Sequence, residues 1–598
     1  MNNKIIYGIV ILVTVLIAVS PWFSEGIAYT DDFRAHTAHL WAMENNMENG
    51  HMPFTGWMQE LYSGWPIFKF YSLSPYWVSL PFVMVADNAV EALKMSVVAS
   101  FLIAALSMFF AAKLLFGSNK LATISSVAYT YFGYHFINAG SRGAFNELWG
   151  YSFFPLAVGL FIYSLHKPSL KSVILATLAT SLIVLTHVPV AWMLAIIYIT
   201  YYAYFIYTEK KIKKTHIKVI SAIFFGSILL TSFWLIPFLK ESKNMNFDDF
   251  YTDDGMALIG LHGNTGVEIS SLITRHFGNM PDGTRAFYVG YSLLALLAIG
   301  LYIKNNSNSY KYFSGLAIGS LLLMIFPFLL NLMPLASVLQ FSFRLLLITG
   351  FALSMVAGII GKNLADKIPD KSTIIVIVIC AIIVIDFFPA NSFAWTDTST
   401  ENFINEPAQV EVLKALKNVP GYFVVLAPLA QVDYMYHGHY SLGWGWAGFR
   451  QGALPYIWKD YSSNTEKLIN MMRLNNFSEK DELLKTFGFY GVRFIVMPCF
   501  PDMGEPAISN GKYCAFENEY FRPLVEGDVV SVDFDIDEIE IYARGDVLVK
   551  VANYGWTAYG INHNQKEAIE LLEIRNVYPG YMNISFGKDY RTVQLKQQ

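Results

Sequence analysis

Residues 5–22 read IIYGIVILVTVLIAVSPW, eighteen positions without a charge, and ten further mostly apolar runs follow before residue 390. A run of that length suits a helix crossing a bilayer, which needs about 20 apolar residues. It is too long for the apolar region of a signal peptide, and no small-residue cleavage site follows before Glu25. The other runs lie near 92–115, 121–138, 150–165, 170–187, 189–207, 218–238, 286–303, 312–331, 343–361 and 372–389, so eleven spans are expected. The stretch YSLSPYWVSLPFVMVA (71–86) is shorter, holds two prolines and ends at Asp87, which suits an interfacial or re-entrant segment.

Composition agrees. Of 598 residues, 54% belong to the AVILMFWYC set and 15% are charged, with a mean hydropathy of +0.39. A soluble protein carries about a quarter of its residues charged. The net charge of −4 offers no basic field for a nucleic-acid backbone, so no nucleic-acid partner is expected. Three cysteines rule out a disulfide-rich scaffold.

Short loops of alternate sidedness differ in charge. One set carries Lys113, Lys120, Lys167, Lys171, the run EKKIKKTHIK (209–218), Lys304, Lys311, Lys362, Lys367 and Lys371. The other collects Asp31, Asp32, Glu147, Asp248, Asp249, Asp253 and Asp254. The positive-inside rule makes the amino terminus cytoplasmic, and an odd number of spans puts everything after Asp386 outside. The basic run reads as an inner-leaflet anchor, and Asp386 as a carboxylate snorkelling to the interface.

Beyond residue 390 the pattern shortens to strand length, as in YFVVLAP, RFIVMP, EIEIYA and VLVKVANY, with helical patterns at PAQVEVLKALKN and SEKDELLKTFGF. Turn signals at Glu526-Gly527, Arg544-Gly545 and Pro579-Gly580 suggest a small antiparallel sandwich. The expected architecture is a polytopic α-helical membrane domain (1–390), an extracytoplasmic α/β region (391–519) and a C-terminal β-sandwich-like domain (520–598). Cys499 and Cys514 fall in this outer part, either as a disulfide or as two buried thiols; spacing does not choose between them.

Topology sorts the polar residues by membrane side. Asp31, Asp32, Arg34 and His36 lie in TDDFRAH; Arg142 and Glu147 in SRGAFNELWG; His187 in LTHVP; Gln340 and Arg344 in LQFSFRLLL. All gather at the outer interface, where independent loops bring acids, cations and a histidine together. Each also has a bland reading: solvated aspartates, arginines snorkelling to headgroups, a helix-end histidine, or a Glu147–Arg142 pair. No zinc motif, Walker loop, GxSxG elbow or dinucleotide fingerprint stands out. His437 and His439 in MYHGHYS suit metal chelation, but no nearby acid or cysteine completes a site.

YTDDFRAHTAHLWAMENNMENGHMP followed by LYSGWPIFKFYSLSPYW resembles the integral-membrane glycosyltransferases of the C superfold (GT-C). More narrowly, it resembles the membrane proteins called 6-pyruvoyl-tetrahydropterin synthase-related, kin to bacterial YfhO-like membrane proteins. RGAFNELWGYSFFPLA, LTHVP and LQFSFRLLL are similar to later blocks of that group, with Ser342-Phe343 where Pro-Trp is expected. TFGFYGVRFIVMP and the C-terminal strands resemble its extracytoplasmic tail.

The resemblance implies transfer of a sugar from a polyprenyl-phosphate donor to a glycan or glycolipid acceptor, at the outer face of the plasma membrane. Asp31 or Asp32 is then the catalytic base. His36, Arg142, Glu147, His187, Gln340 and Arg344 bind donor phosphate or substrate, and Trp57, Trp65 and Tyr71 stack on sugar or lipid. A divalent cation, Mg or Mn, is an optional cofactor held by Asp31 and Asp32. The acidic loop at 239–286 is expected to act as a mobile lid. Competing readings are a non-catalytic protein that binds lipid-linked glycan and a transporter of lipid-linked sugars, the latter needing polar residues through the membrane depth.

Overall fold

Each of the eleven apolar runs carries a helix in the computed structural model, but their lengths differ. The structure describes most of 3–388 and 477–597. The gaps are 25–27, 29, 31, 53–56, 59–64, 211, 242–244, 247–266 and 280–284 in the first stretch and 490, 535–537, 553–555, 562–568 and 578–580 in the second. Between 389 and 476 it describes 411–412, 415–416, 422–425, 440–441, 454–455 and 471.

Among the described residues, six helices are long and apolar enough to cross a membrane: Lys4–Phe23, Ala89–Phe116, Phe145–His166, Val188–Glu209, Lys214–Lys240 and Ser342–Asp366. The remaining expected spans, Asn119–Tyr131, Leu170–Val184, Tyr291–Tyr302, Asn308–Ile325 and Ser372–Phe387, run only 12 to 18 residues. Each expected span thus carries a helix, six of them long and apolar enough by themselves and five of them shorter. Two of the shorter helices have a local cause. Extended Phe132 interrupts 121–138, and the 286–303 run opens on a strand, Arg285–Phe287, and on Gly290 at φ 97° before its helix starts. The 71–86 stretch forms the helix Ser74–Val83, ten residues with Pro81 inside. At 1.5 Å per residue that is about half of the roughly 30 Å hydrocarbon core.

The two most enclosed helices are Ser342–Asp366, buried over the whole of its apolar window, and Phe145–His166, buried over 78% of it. Small residues allow this. A Cβ on Gly361 would lie 2.6 Å from Ile124, and one on Gly159 would lie 2.9 Å from the Ala111 Cα. Helices in lipid associate mainly through such close packing. Lys214–Lys240 is 28% buried and turns Phe224, Phe225 and Leu229 outward. Asp386 does not snorkel. Its carboxylate accepts from Tyr288 Oη at 2.6 Å and from the Ser292 amide at 2.8 Å, satisfying a free N–H at the start of Tyr291–Tyr302.

The chain divides into two compact units: Met1–Phe33, Ser72–Leu235 and Asp253–Asp397 form one, and Arg34–Tyr71, Ile236–Thr252 and Thr398–Gln598 the other. In the second, Lys480–Phe489 leads through Gly491 (φ 82°) into Val492–Pro498, the centre of a five-stranded mixed sheet. Cys499 and Cys514 are disulfide-bonded beside it. The C-terminal strands make one continuous antiparallel sheet of six. Tyr581–Gln597 pairs Ile574–Val577 along its first part and Trp556–Ile561 along its last. Glu526-Gly527 and Arg544-Gly545, expected as turns, are instead bulges within the long strands Val525–Phe534 and Glu538–Ala552. The reason is conformational: Gly527 (φ 140°) and Gly545 (φ 74°) take the positive φ that a bulge absorbs without ending the ladder.

Candidate functional site

The Phe145–His166 helix is preceded by a π-helical turn, Asn138–Arg142, and by Gly143 at φ 64°. A side chain at Gly143 would meet the Phe33 amide at 2.8 Å, so this turn lies directly on Thr30–Phe33. One hydrogen bond holds the contact, from the Asp32 amide to Arg142 O (2.9 Å), while within the segment the Phe33 amide donates to Thr30 Oγ1 (3.1 Å). Thr30, Asp32 and Phe33 thus lie against the SRGAFNE block, distant in sequence.

Beneath it sits a charged cluster. Glu147, 1% exposed, accepts from Arg142 Nη1 at 3.0 Å and from Arg344 Nε at 3.1 Å on one oxygen, and from Tyr134 Oη on the other. Arg142 Nη1 also donates to Asn138 Oδ1 (2.6 Å), and its guanidinium lies 5.0 Å from the Phe343 ring. Arg344 donates to Leu339 O (3.0 Å) and to Gln340 Oε1, and lies 5.0 Å from the Phe341 ring. Gln340 holds φ 62°, a left-handed conformation that costs a non-glycine residue strain. His187, extended at the start of Val188–Glu209, acts electrostatically on Glu147, and half-buried Asp32 acts on Arg142.

Two guanidiniums share one buried carboxylate, a surplus of positive charge that Asp32 offsets only from the margin. Two buried amide atoms, Asn138 Nδ2 in the turn and Asn146 Oδ1 at the start of the helix after it, lack hydrogen-bond partners among the described residues. An unmade hydrogen bond at a buried polar atom costs about 1–3 kcal/mol. Surplus cation and unfilled polar atoms together suit an anionic, hydroxyl-bearing ligand.

Of the residues expected to form the site, the structure brings together Asp32, Arg142, Glu147, His187, Gln340 and Arg344. Neither arginine reaches outward as a headgroup anchor would; both are 6% exposed and turn to Glu147. Asp31 lies outside the described residues, as do the side chains of Arg34, Trp57 and Trp65, His437 and His439, and most of the expected lid. His36 and Tyr71 belong to the other compact unit, where their ring centroids are 6.1 Å apart. Burial pushes the His36 imidazole down to about 3, so it is neutral near pH 7 and offers a hydrogen bond rather than a charge. Among the described residues no group of three metal-ligating side chains occurs, and of the two aspartates expected to hold a divalent cation Asp31 lies outside them. The sequence reading missed Tyr134, Asn138 and Phe343. Tyr134, Asn138 and Arg142 recur every four residues, a one-face helical spacing that was readable within YFGYHFINAGSR.

Residues 68–394 match the model of the 6-pyruvoyl-tetrahydropterin synthase related domain, described as a membrane protein. No curated protein matches the chain. Among solved structures, the apo oligosaccharyltransferase of Archaeoglobus fulgidus aligns with a TM-score of 0.52 at 11% identity, over 82% of this chain and 69% of its own. Arabinofuranosyltransferase AftD from Mycobacteria aligns with a TM-score of 0.48 at 14% identity, and this chain spans 40% of its length while 93% of this chain is covered. ArnT from Cupriavidus metallidurans, bound to undecaprenyl phosphate, aligns with a TM-score of 0.48 at 9% identity, over 87% of this chain and 99% of its own. At such identities the oligosaccharyltransferase likeness establishes a shared fold, the GT-C type expected from the sequence.

Proposed function

The chain belongs to the 6-pyruvoyl-tetrahydropterin synthase-related family of membrane proteins, and from that premise we propose that it is a membrane glycosyltransferase. Its donor is a polyprenyl-phosphate-linked sugar and its acceptor a glycan or glycolipid at the extracytoplasmic face. The observation that carries this reading is the Arg142–Glu147–Arg344 cluster, a buried cationic site against which Thr30–Phe33 is held. The GT-C fold shared with an oligosaccharyltransferase supports the same class of chemistry.

In this mechanism Asp31 or Asp32 takes the proton of the acceptor hydroxyl as its oxygen attacks the anomeric carbon. The bond from that carbon to the phosphate oxygen breaks, and the departing polyprenyl phosphate keeps the electron pair. Arg344 and Arg142 offset the charge that builds on it, as positioned donors do for a developing anion. His187 and Gln340 supply further hydrogen bonds. The disulfide in the second unit suits the oxidising side of a plasma membrane.

The test is transfer by the purified full-length protein from polyprenyl-phosphate sugars. Asp31→Asn or Asp32→Asn should lower the rate about 10²–10⁴-fold. Wild-type rates in both variants would exclude a carboxylate base here. Donor binding without turnover under any acceptor would favour a non-catalytic lipid-glycan binder.

A further inference from the structure

The basic run EKKIKKTHIK leads into the long helix Lys214–Glu241. His216 lies in its first turn and is 3% exposed. Its Nδ1 has no hydrogen-bond partner among the described residues. The neighbouring helix Val188–Glu209 contributes Tyr202, whose ring centroid is 6.3 Å from that of His216 and whose hydroxyl is likewise buried and without a partner. Phe205 closes the other side, 4.9 Å from the imidazole.

Two buried polar groups without a partner among the described residues therefore sit at a helix start, where the His216 and Ile217 amides donate to Lys213 O. The helix amino terminus carries partial positive charge. Lys210, Lys213, Lys214 and Lys218 flank His216 in sequence, with Glu209 the neighbouring acid, and both Lys213 and Glu209 act electrostatically on His216 and on His166. His166 is already engaged, with Nε2 at 2.7 Å from Tyr201 Oη. The imbalance favours an anion, and the group that suits two hydrogen-bond donors, a helix terminus and lysines is a phosphate.

The apolar surroundings distinguish its source. Tyr207 is 78% exposed, Ile212 64% and Ile217 51%, interleaved with the lysines. A free phosphate gains nothing from such side chains, whereas acyl chains of a lipid cover them. We propose that His216, Tyr202 and the first turn of Lys214–Glu241 form a binding site for the phosphate of an anionic phospholipid in the leaflet facing this loop. This goes beyond a general basic anchor, because the two buried donors select a headgroup position rather than a charged surface.

The experiment reconstitutes the full-length protein and measures retained phospholipid by native mass spectrometry, with phosphatidylglycerol and phosphatidylcholine supplied in equal amounts. Wild type should retain phosphatidylglycerol preferentially. Tyr202→Phe, which removes only the hydroxyl, and His216→Phe should each weaken that retention roughly tenfold, while thermal stability in detergent without lipid stays near wild type for Tyr202→Phe. If Lys213→Gln with Lys218→Gln abolishes retention but Tyr202→Phe and His216→Phe do not change it, binding is diffuse adsorption and the site is refuted. Displacement of the lipid by millimolar inorganic phosphate would refute the lipid as the occupant.

Discussion

Arg344 and Glu147 stand 197 residues apart in the chain and meet at 3.1 Å, Nε to Oε2, at the adjoining ends of the two most enclosed helices. The pair joins the LQFSFRLLL and SRGAFNELWG blocks into one charged centre, with Arg142 as the third member. A buried ion pair of this kind contributes little net stability while intact, but losing one partner strands the other.

Glu147→Ala should accordingly destabilise the protein by about 3–5 kcal/mol, because two guanidiniums would be left buried without a carboxylate. Thermal unfolding of the purified protein reads this directly. Glu147→Gln, which keeps the shape, should fall between wild type and Glu147→Ala.

Gly143 is the hinge on which the aspartate loop rests. Gly143→Ala should cost about 1–3 kcal/mol, since φ 64° disfavours a side chain and the new Cβ would press on the Phe33 amide. It should also lower transfer more than a distant substitution of equal destabilisation. Gly504→Ala, also at positive φ but with open space around it, is the matched control.

Much of this was legible in the sequence because it depends on local pattern. The helix over the run at 5–22 and the strand RFIVMP fall where residue type and periodicity place them. The lengths of individual helices were less so. Phe132 and Gly290 break apolar runs that hydropathy alone reads as continuous, because backbone conformation at one residue is invisible to a window average. Asp386 was misread for a different reason: its partners Tyr288 and Ser292 lie nearly a hundred residues away, and only the fold brings them together. Glu147 as a shared partner of two arginines depends on such a tertiary contact as well.

Glu44 gives a pH signature in the second unit. Burial, reinforced by Glu48, raises its carboxyl from the ordinary value to about 7. The folded state holds that proton more tightly than the unfolded one, so the contribution is fully present below the unfolded value and is lost as pH rises through about 7. Glu44→Gln should therefore stabilise the protein at pH 8 and make no difference at pH 4. Equal effects at the two pH values would contradict this.

The Cys499–Cys514 bond closes a loop of 15-residue separation, so Cys499→Ser with Cys514→Ser should lower stability by about 3 kcal/mol. In whole cells the pair should resist thiol labelling until a reductant is added. Immediate labelling of both cysteines would place this region on the reducing side.

The most direct measurement of the central claim is the affinity of purified protein for a polyprenyl-phosphate donor, wild type against Arg344→Lys, with melting temperature recorded for both. Lysine keeps the charge but cannot present the planar fork that matches a phosphate. A phosphate contact at Arg344 gives a loss of donor affinity of roughly tenfold or more, about 1.4 kcal/mol per factor of ten, in protein that remains folded. Unchanged donor affinity accompanied only by a lower melting temperature would make Arg344 a structural partner of Glu147 and contradict its role in donor binding.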